Sequence, residues 1–191
     1  MNGPGVLLVL AGPSGVGKGT IGARVRAERP DLRWSVSWTT RAPRPGERDG
    51  HDYRFVTREE FEALQADGGF LESFEVFGDL KGTPRDPIEA TIRDGAVMLL
   101  EIDVQGALAV EAEYPEATLV VFIRAPSREV QRVRLTERGT DSAEAIERRL
   151  AEAEQEEAVA EARGWPVVVN DDIGRATAQV TAILDNRRSA A

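Results

Sequence analysis

Gly12-Pro13-Ser14-Gly15-Val16-Gly17-Lys18-Gly19-Thr20 lies between an apolar run at 6–10 and a segment of helical character at 20–28. Glycines at such a junction let successive backbone N–H groups converge on one point, and the following helix adds its positive end. The stretch therefore reads as an anion nest. Lys18 supplies a full positive charge where the outer phosphates of a nucleotide would sit. Strand, glycine loop and helix in that order make the pattern a phosphate-binding loop rather than a plain turn.

Further apolar runs at 32–36, 97–102, 119–123 and 166–169 are rich in Val, Ile or Leu. Continuous runs, unlike alternating ones, predict strands buried on both faces. Segments of helical character at 87–94, 105–114 and 127–138 fall between them. Strand and helix taking turns imply an α/β fold whose parallel sheet is covered by helices.

Two stretches break the rhythm. Between 37 and 83 the chain turns polar and rich in Gly, Pro and Arg, with Tyr53 and Phe55 alternating, a mixed run at 70–77, and a capping box at Thr57 and Glu60. This predicts a small β-containing insertion with one short helix. Between 141 and 163 a long acidic helix is predicted, opened by a second box at Asp141 and Glu144 and carrying Ala143, Ile146, Leu150 and Ala153 on one face. Most of its glutamates read as a solvated surface. Ser189, Ala190 and Ala191 are expected to fray.

Composition narrows the function. The 191 residues make one domain, and 41% hydrophobic with 30% charged residues describe an ordinary globular protein. With 24 Lys and Arg against 33 Asp and Glu, the net charge of −9 argues against nucleic acid or an anionic membrane as partner. Any phosphate ligand then needs a local cationic pocket. No Cys is present, which excludes thiolate zinc sites and a cysteine nucleophile and fits a cytoplasmic protein. One His excludes a metal site built on several imidazoles. The first apolar run passes into glycines without a basic leader, so no signal peptide is expected. No run approaches the roughly 18 apolar residues of a membrane span.

A second cationic site is legible at Arg41 and Arg44, set three residues apart around Pro43. Two guanidinium forks held by a rigid turn suit a phosphate dianion, and Tyr53 offers a phenol donor nearby in sequence.

The phosphate loop, Ser35-Val36-Ser37-Trp38-Thr39-Thr40-Arg41-Ala42-Pro43-Arg44, Gly50-His51-Asp52-Tyr53, Phe70-Leu71-Glu72, Gly82-Thr83, Glu101-Ile102-Asp103-Val104-Gln105-Gly106, Arg138-Gly139-Thr140 and Val169-Asn170-Asp171-Asp172 together resemble guanylate kinase. The resemblance runs in order from about residue 5 to 172 and beyond. It implies a three-layer P-loop kinase core (about 5–36, 84–126 and 164–188), a GMP-binding insertion (about 37–83) and a helical lid (about 127–163). It implies ATP bound by Gly12 through Thr20 with Asn170 beside the adenine, and GMP held through its phosphate by Arg41, Arg44 and Tyr53. Ser37, Thr83, Glu72 and Glu101 would meet the guanine. Lys18 and Arg41, with Arg134, Arg138 and Arg149 of the lid, would serve the transferring phosphoryl group, whereas Arg128, Arg132 and Arg148 have no match and read as solvated.

Three departures stand out. Gly19 follows the loop lysine where the common pattern has Ser or Thr, an order similar to the adenylate kinase variant. Thr20 would then contact a phosphate, and Mg²⁺, the implied cofactor, would be held by phosphate oxygens and water with Asp103 as an acceptor for that water. Glu101 stands where the family often has Asp, and Lys81 where it usually has a Tyr that donates to the GMP phosphate. The implied partners are ATP and GMP, with dGMP open, and no obligatory protein partner. Two other readings remain: a guanylate-kinase-like interaction module without catalysis, and a kinase for a sugar phosphate. Retention of Lys18 and Arg41 speaks against the first, and the base-contacting set against the second.

Overall fold

The computed structural model describes residues 5–44, 46–76, 78–139 and 141–190. Pro45, Phe77, Thr140 and Ala191, which belong to stretches quoted above, lie outside the described residues.

Strand β1 (Val6–Ala11) is buried at every position. Parallel neighbours cover both its edges, β7 (Val97–Glu101) and β8 (Thr118–Arg124). The sheet is completed by β2 (Arg33–Trp34) beyond β7 and β9 (Val167–Val169) beyond β8, giving the order β2-β7-β1-β8-β9 with every pairing parallel. Alternate side chains of β1 enter two cores. Val6, Leu8 and Leu10 pack with Ile21 and Val25 of α1 (Lys18–Glu28) and with Ala176, Val180 and Leu184 of α7 (Ile173–Ser189). Leu7, Val9 and Ala11 pack with Ile88 of α3 (Arg85–Arg93), Ala107 and Val110 of α4 (Val104–Glu113), and Ala160 of α6 (Ala143–Arg163). Helices on both faces of a parallel sheet make the three-layer architecture that the alternating runs predict.

The second sheet has the order β4-β3-β6-β5, from β3 (Trp38–Thr39), β4 (Arg54–Phe55), β5 (Phe70–Val76) and β6 (Asp79–Pro84). Its own core is Phe61, Phe70 and Leu80. Phe61 comes from α2 (Arg58–Ala66) and stacks on Phe70 at 4.3 Å between ring centroids. The capping box opens α2 as expected: the Glu60 amide donates to Thr57 Oγ1 (3.1 Å) and the Thr57 amide to Glu60 Oε2 (2.8 Å).

Helix α5 (Arg128–Glu137) lies against α6, with Leu135, Ile146 and Leu150 closing a small core between them. Among the described residues, no helix is long and apolar enough to cross a membrane.

Several boundaries differ from the sequence reading. The run at 32–36 yields only β2, because after Ser35 donates to the Leu99 carbonyl (3.0 Å) the chain leaves this edge for the second sheet. Helix α6 is capped by Ser142, whose hydroxyl accepts from the Ala145 amide (3.2 Å). Asp141 does not cap it and pairs instead with Arg149. Helix α7 was not read from the pattern, although Asp172 caps it and Ala176, Val180 and Leu184 recur every fourth residue. It continues through Ser189, where fraying was expected, and Ser189 Oγ donates to the Asp185 carbonyl (2.9 Å).

Candidate active site

The loop between β1 and α1 emerges at the carboxyl end of the central strand, the edge of a parallel sheet at which ligands bind. Gly12 is needed there by close approach: at φ +136° a Cβ would lie 2.3 Å from the Ile123 carbonyl oxygen. Gly15 (φ +82°) and Gly17 (φ +93°) take the left-handed turns that curl the loop, and Gly17 caps α1. Gly19 and Thr20 begin the helix on its exposed side, while the Val16 side chain is buried and anchors the loop.

A cleft of about 1150 Å³ opens in front of this loop. Pro13, Ser14, Gly15, Gly17, Lys18, Gly19 and Thr20 form one wall, and Thr39, Arg41, Arg44, Tyr53, Phe74, Asp79 and Lys81 of the second sheet and its loops form the opposite one. Glu101, Ile102 and Asp103 make the floor between them, with Arg134, Arg138, Arg149, Asn170, Asp171 and Ile173 around the rim. The two cationic groups read from the sequence thus share one cavity.

Lys18 bridges the start of the loop, its ammonium donating to the carbonyls of Gly12 and of Pro13 (3.1 Å). Burial pushes its pKa down to about 8, against the pull of Glu156, Glu101 and Asp103. Glu156 of α6 was missed: it belongs to the run of glutamates read as solvated, and nothing in its spacing singles it out. One of its carboxylate oxygens is sealed from solvent without a hydrogen-bond partner. Burial pushes its pKa up to about 6, with Lys18 the main opposing charge.

Glu101 and Asp103 both act on Lys18 but make different contacts. The Glu101 carboxylate rests on the first turns of α1, so close that a Cβ on Gly22 would lie 1.9 Å from Oε1. Burial raises its pKa, opposed by Lys18, Arg26 and Lys81. Asp103 caps α4, its Oδ1 accepting from the Gly106 amide (2.8 Å). It is the negative charge that acts on Glu72, whose pKa is raised mainly by burial and further by Asp103. Thr83 is fully buried and donates to Glu72 Oε1 (2.6 Å), while Glu72 Oε2 is buried without a partner. Ser37 is buried as well.

In the second cationic group, Arg41 is oriented by Glu47, which receives both hydrogen bonds of its NH2 group (2.9 and 3.0 Å). Glu47 was missed as a contributor. Burial would raise its pKa, yet the Arg41 guanidinium and the Arg44 amide hold it below the ordinary range. Arg41 and Lys81 both lie near the Tyr53 ring, at 5.4 and 5.5 Å from its centroid.

Two of the rim arginines are tied to the loop itself, while Arg138 is exposed. Arg134 donates to the carbonyls of Val16 (3.2 Å) and Asn170 (2.9 Å), and Arg149 to Ser14 Oγ (2.8 Å) and Asp141 (3.2 Å). Asn170 is buried, and its amide donates to the Val16 carbonyl (2.8 Å), so it clamps the loop in addition to lining the cleft. Arg128, expected to be solvated, is half-buried and paired with Glu157 of α6; Arg132, in a surface pair with Glu147, and Arg148 are exposed as expected.

The sequence model of the guanylate kinase family matches residues 5–187. The chain is 49% identical over 181 residues to the guanylate kinase of Symbiobacterium thermophilum, covering 94% of this chain and 84% of that protein. It is 52% identical over 178 residues to the guanylate kinase of Gloeobacter violaceus, covering 93% and 86%. The crystal structure of guanylate kinase from Anaplasma phagocytophilum superposes with a TM-score of 0.78 at 35% identity, covering 98% of this chain and 88% of that one.

Proposed function

The chain belongs to the guanylate kinase family, and from that premise we propose that its cleft transfers the γ-phosphoryl group of ATP to GMP, giving ADP and GDP. One observation carries this: the glycine loop with Lys18 and the cationic group of Arg41, Arg44 and Lys81 open on the same cavity. Two phosphate sites facing one another suit a reaction whose two substrates both bring phosphate.

The acceptor is a GMP phosphate oxygen that is already ionised, so no general base is needed. That oxygen forms a bond to the γ-phosphorus in line as the bond to the β-phosphate oxygen breaks. The protein has to align the two nucleotides and neutralise charge. The amides of the loop and Lys18 serve the ATP phosphates, Arg41, Arg44 and Tyr53 the GMP phosphate, and Arg138, Arg134 and Arg149 the charge that develops between them. Closure over the cleft would exclude water from the transfer.

The acidic roles are read here the other way round from the sequence expectation. Glu72 and Asp103 are the pair proposed to accept hydrogen bonds from guanine N1 and the exocyclic amine. The reading is supported by their electrostatic proximity and by the unpartnered Glu72 Oε2. Adenine lacks that pair of donors, so AMP would leave buried carboxylates unmatched. Glu101, seated against α1 beside Gly19, falls on the ATP side. There its carboxylate and the exposed Thr20 hydroxyl are hard oxygen donors that fit Mg²⁺ or its waters. When bound, the ion would neutralise phosphate charge. We place the reaction in the cytoplasm.

The test is an ADP-release assay with GMP, dGMP, AMP and no acceptor. Turnover with GMP, at least about a thousandfold weaker use of AMP, and little release without acceptor are expected. ADP release that does not depend on GMP would overturn the reading.

A further inference from the structure

Gln131, near the middle of α5, has a side chain fully removed from solvent. A buried amide is costly unless both its ends are paired, and here both are. Its Nε2 donates to the Ser14 carbonyl (2.8 Å), and its Oε1 accepts from Arg128 (2.9 Å). The orientation of the amide is fixed by chemistry, because a guanidinium can only donate and a carbonyl can only accept. Arg128 in turn donates to Glu157 of α6 (3.0 Å). A continuous chain of polar contacts therefore runs from α6 through α5 to the phosphate loop.

The Ser14 carbonyl and the Gly15 N–H belong to one planar trans peptide, in which they point in opposite directions. Holding the carbonyl back against α5 fixes the Gly15 N–H on the opposite side of that peptide, and Gly15 lines the cleft. Gly15 also lies against α5, where a Cβ would come 2.9 Å from the Leu135 side chain. The same device acts two residues on, where Asn170 and Arg134 hold the Val16 carbonyl and so orient the Gly17 N–H.

We propose that Gln131 is a positioning residue for the nucleotide phosphates: by holding the Ser14 carbonyl it aims the Gly15 amide into the anion nest, and Arg128 and Glu157 transmit the position of α6 to that amide. The inference rests on the reading of the loop as the ATP phosphate site. A glutamine kept only for packing would be replaced by leucine without effect on the ligand. A glutamine that sets an amide would not, and the loss would be confined to the phosphate-loop side.

The experiment measures binding of inorganic tripolyphosphate by calorimetry, together with KM for ATP and for GMP. Lys18→Ala abolishes tripolyphosphate binding if the loop is the site. Gln131→Leu keeps the volume, and Gln131→Glu keeps the shape and the Arg128 contact while losing the donor to Ser14. Both are expected to weaken tripolyphosphate and raise the ATP KM about five- to thirtyfold, as loss of one oriented bond would, with the GMP KM changed less than twofold. Glu157→Gln, at the outer end of the chain of contacts, should give a smaller loss of the same kind, about two- to fivefold. It carries the test if the Gln131 variants do not fold. Unchanged tripolyphosphate affinity in the folded variants, or equal losses toward ATP and GMP, would overturn the role of Gln131. Tripolyphosphate binding that survives Lys18→Ala would instead overturn the reading of the loop, and this proposal with it.

Discussion

Glu156 is ionisable, partly buried and set against the lysine of the phosphate loop, which gives it a measurable signature. Its folded-state pKa is raised to about 6 from an ordinary 4.5. The folded protein therefore takes up this proton before the unfolded chain as pH falls, so ionised Glu156 lowers stability above pH 6 and that penalty is relieved between 6 and 4.5. Glu156→Gln is expected to stabilise the protein at pH 7.5 by roughly 1 kcal/mol, allowing for partial solvent screening, and to have no such benefit near pH 4.5. Urea unfolding at the two pH values checks this, and equal effects at both would contradict it. Lys81 offers a second test at this scale. It lines the cleft with Arg41 and Arg44, so if the proposed GMP phosphate site is there, Lys81 would act on it through charge that salt screens. Lys81→Tyr should flatten the salt dependence of kcat/KM for GMP and raise its value about threefold to tenfold by supplying an oriented donor. Coinciding salt slopes in the two proteins would show that the ammonium does not face the phosphate.

At the scale of elements, α2 is held to the second sheet by one face. Only Phe61 of its residues is buried, and that ring stacks on Phe70 of β5. A nine-residue helix is too short to persist by itself, so its capping box and this aromatic contact sustain it together. Thr57→Ala removes one half of the box and should cost about 1 kcal/mol. Because α2 packs on the second sheet and not on β1, hydrogen exchange should quicken for amides of β5 and β6 while protection of β1 and β7 is unchanged. Uniform loss of protection across both sheets would mean that the two cores unfold as one unit. Helix α6 works differently, since its length lets a single rigid element reach both the rim and the main core. Arg149 near its start bonds Ser14, whereas Ala160 near its end is packed among Ile88, Val104 and Trp165.

For the whole molecule, the cleft is bounded by the main sheet, the second sheet with its separate core around Phe61, and the α5–α6 contact around Leu135, which is joined to the main core through the far end of α6. Separate cores can shift as bodies without repacking their interiors. Binding an analogue that joins both nucleosides through a polyphosphate brings anionic groups against cationic residues on opposing walls. The radius of gyration from small-angle scattering is therefore expected to fall when the analogue is added, and to stay constant when Arg41 and Arg44 are both replaced by Ala. Tight binding without compaction would mean that the cleft is already in its working shape.

What the sequence determined is what depends on neighbours along the chain. The glycine loop between strand and helix, the continuous apolar runs of β1, β7 and β8, the Thr57 box, and the paired arginines at 41 and 44 are patterns of spacing, and backbone geometry translates spacing directly into local structure. What only the tertiary structure decided is which way side chains of equal chemistry face. Glu101 and Asp103 are separated by one residue, yet one carboxylate rests on α1 and the other accepts the amide of Gly106 at the start of α4. Glu156 is set apart from the other glutamates of α6 by the Lys18 ammonium, and Gln131 acquires its role from a carbonyl 117 residues away. A partner so distant leaves no periodic trace, because the bond is made by packing α5 on the loop and not by any repeat in the chain. Helix α7 falls between the two cases. Its apolar spacing is visible in the sequence, but the face that spacing defines has meaning only once α1 and the main sheet are there to cover it.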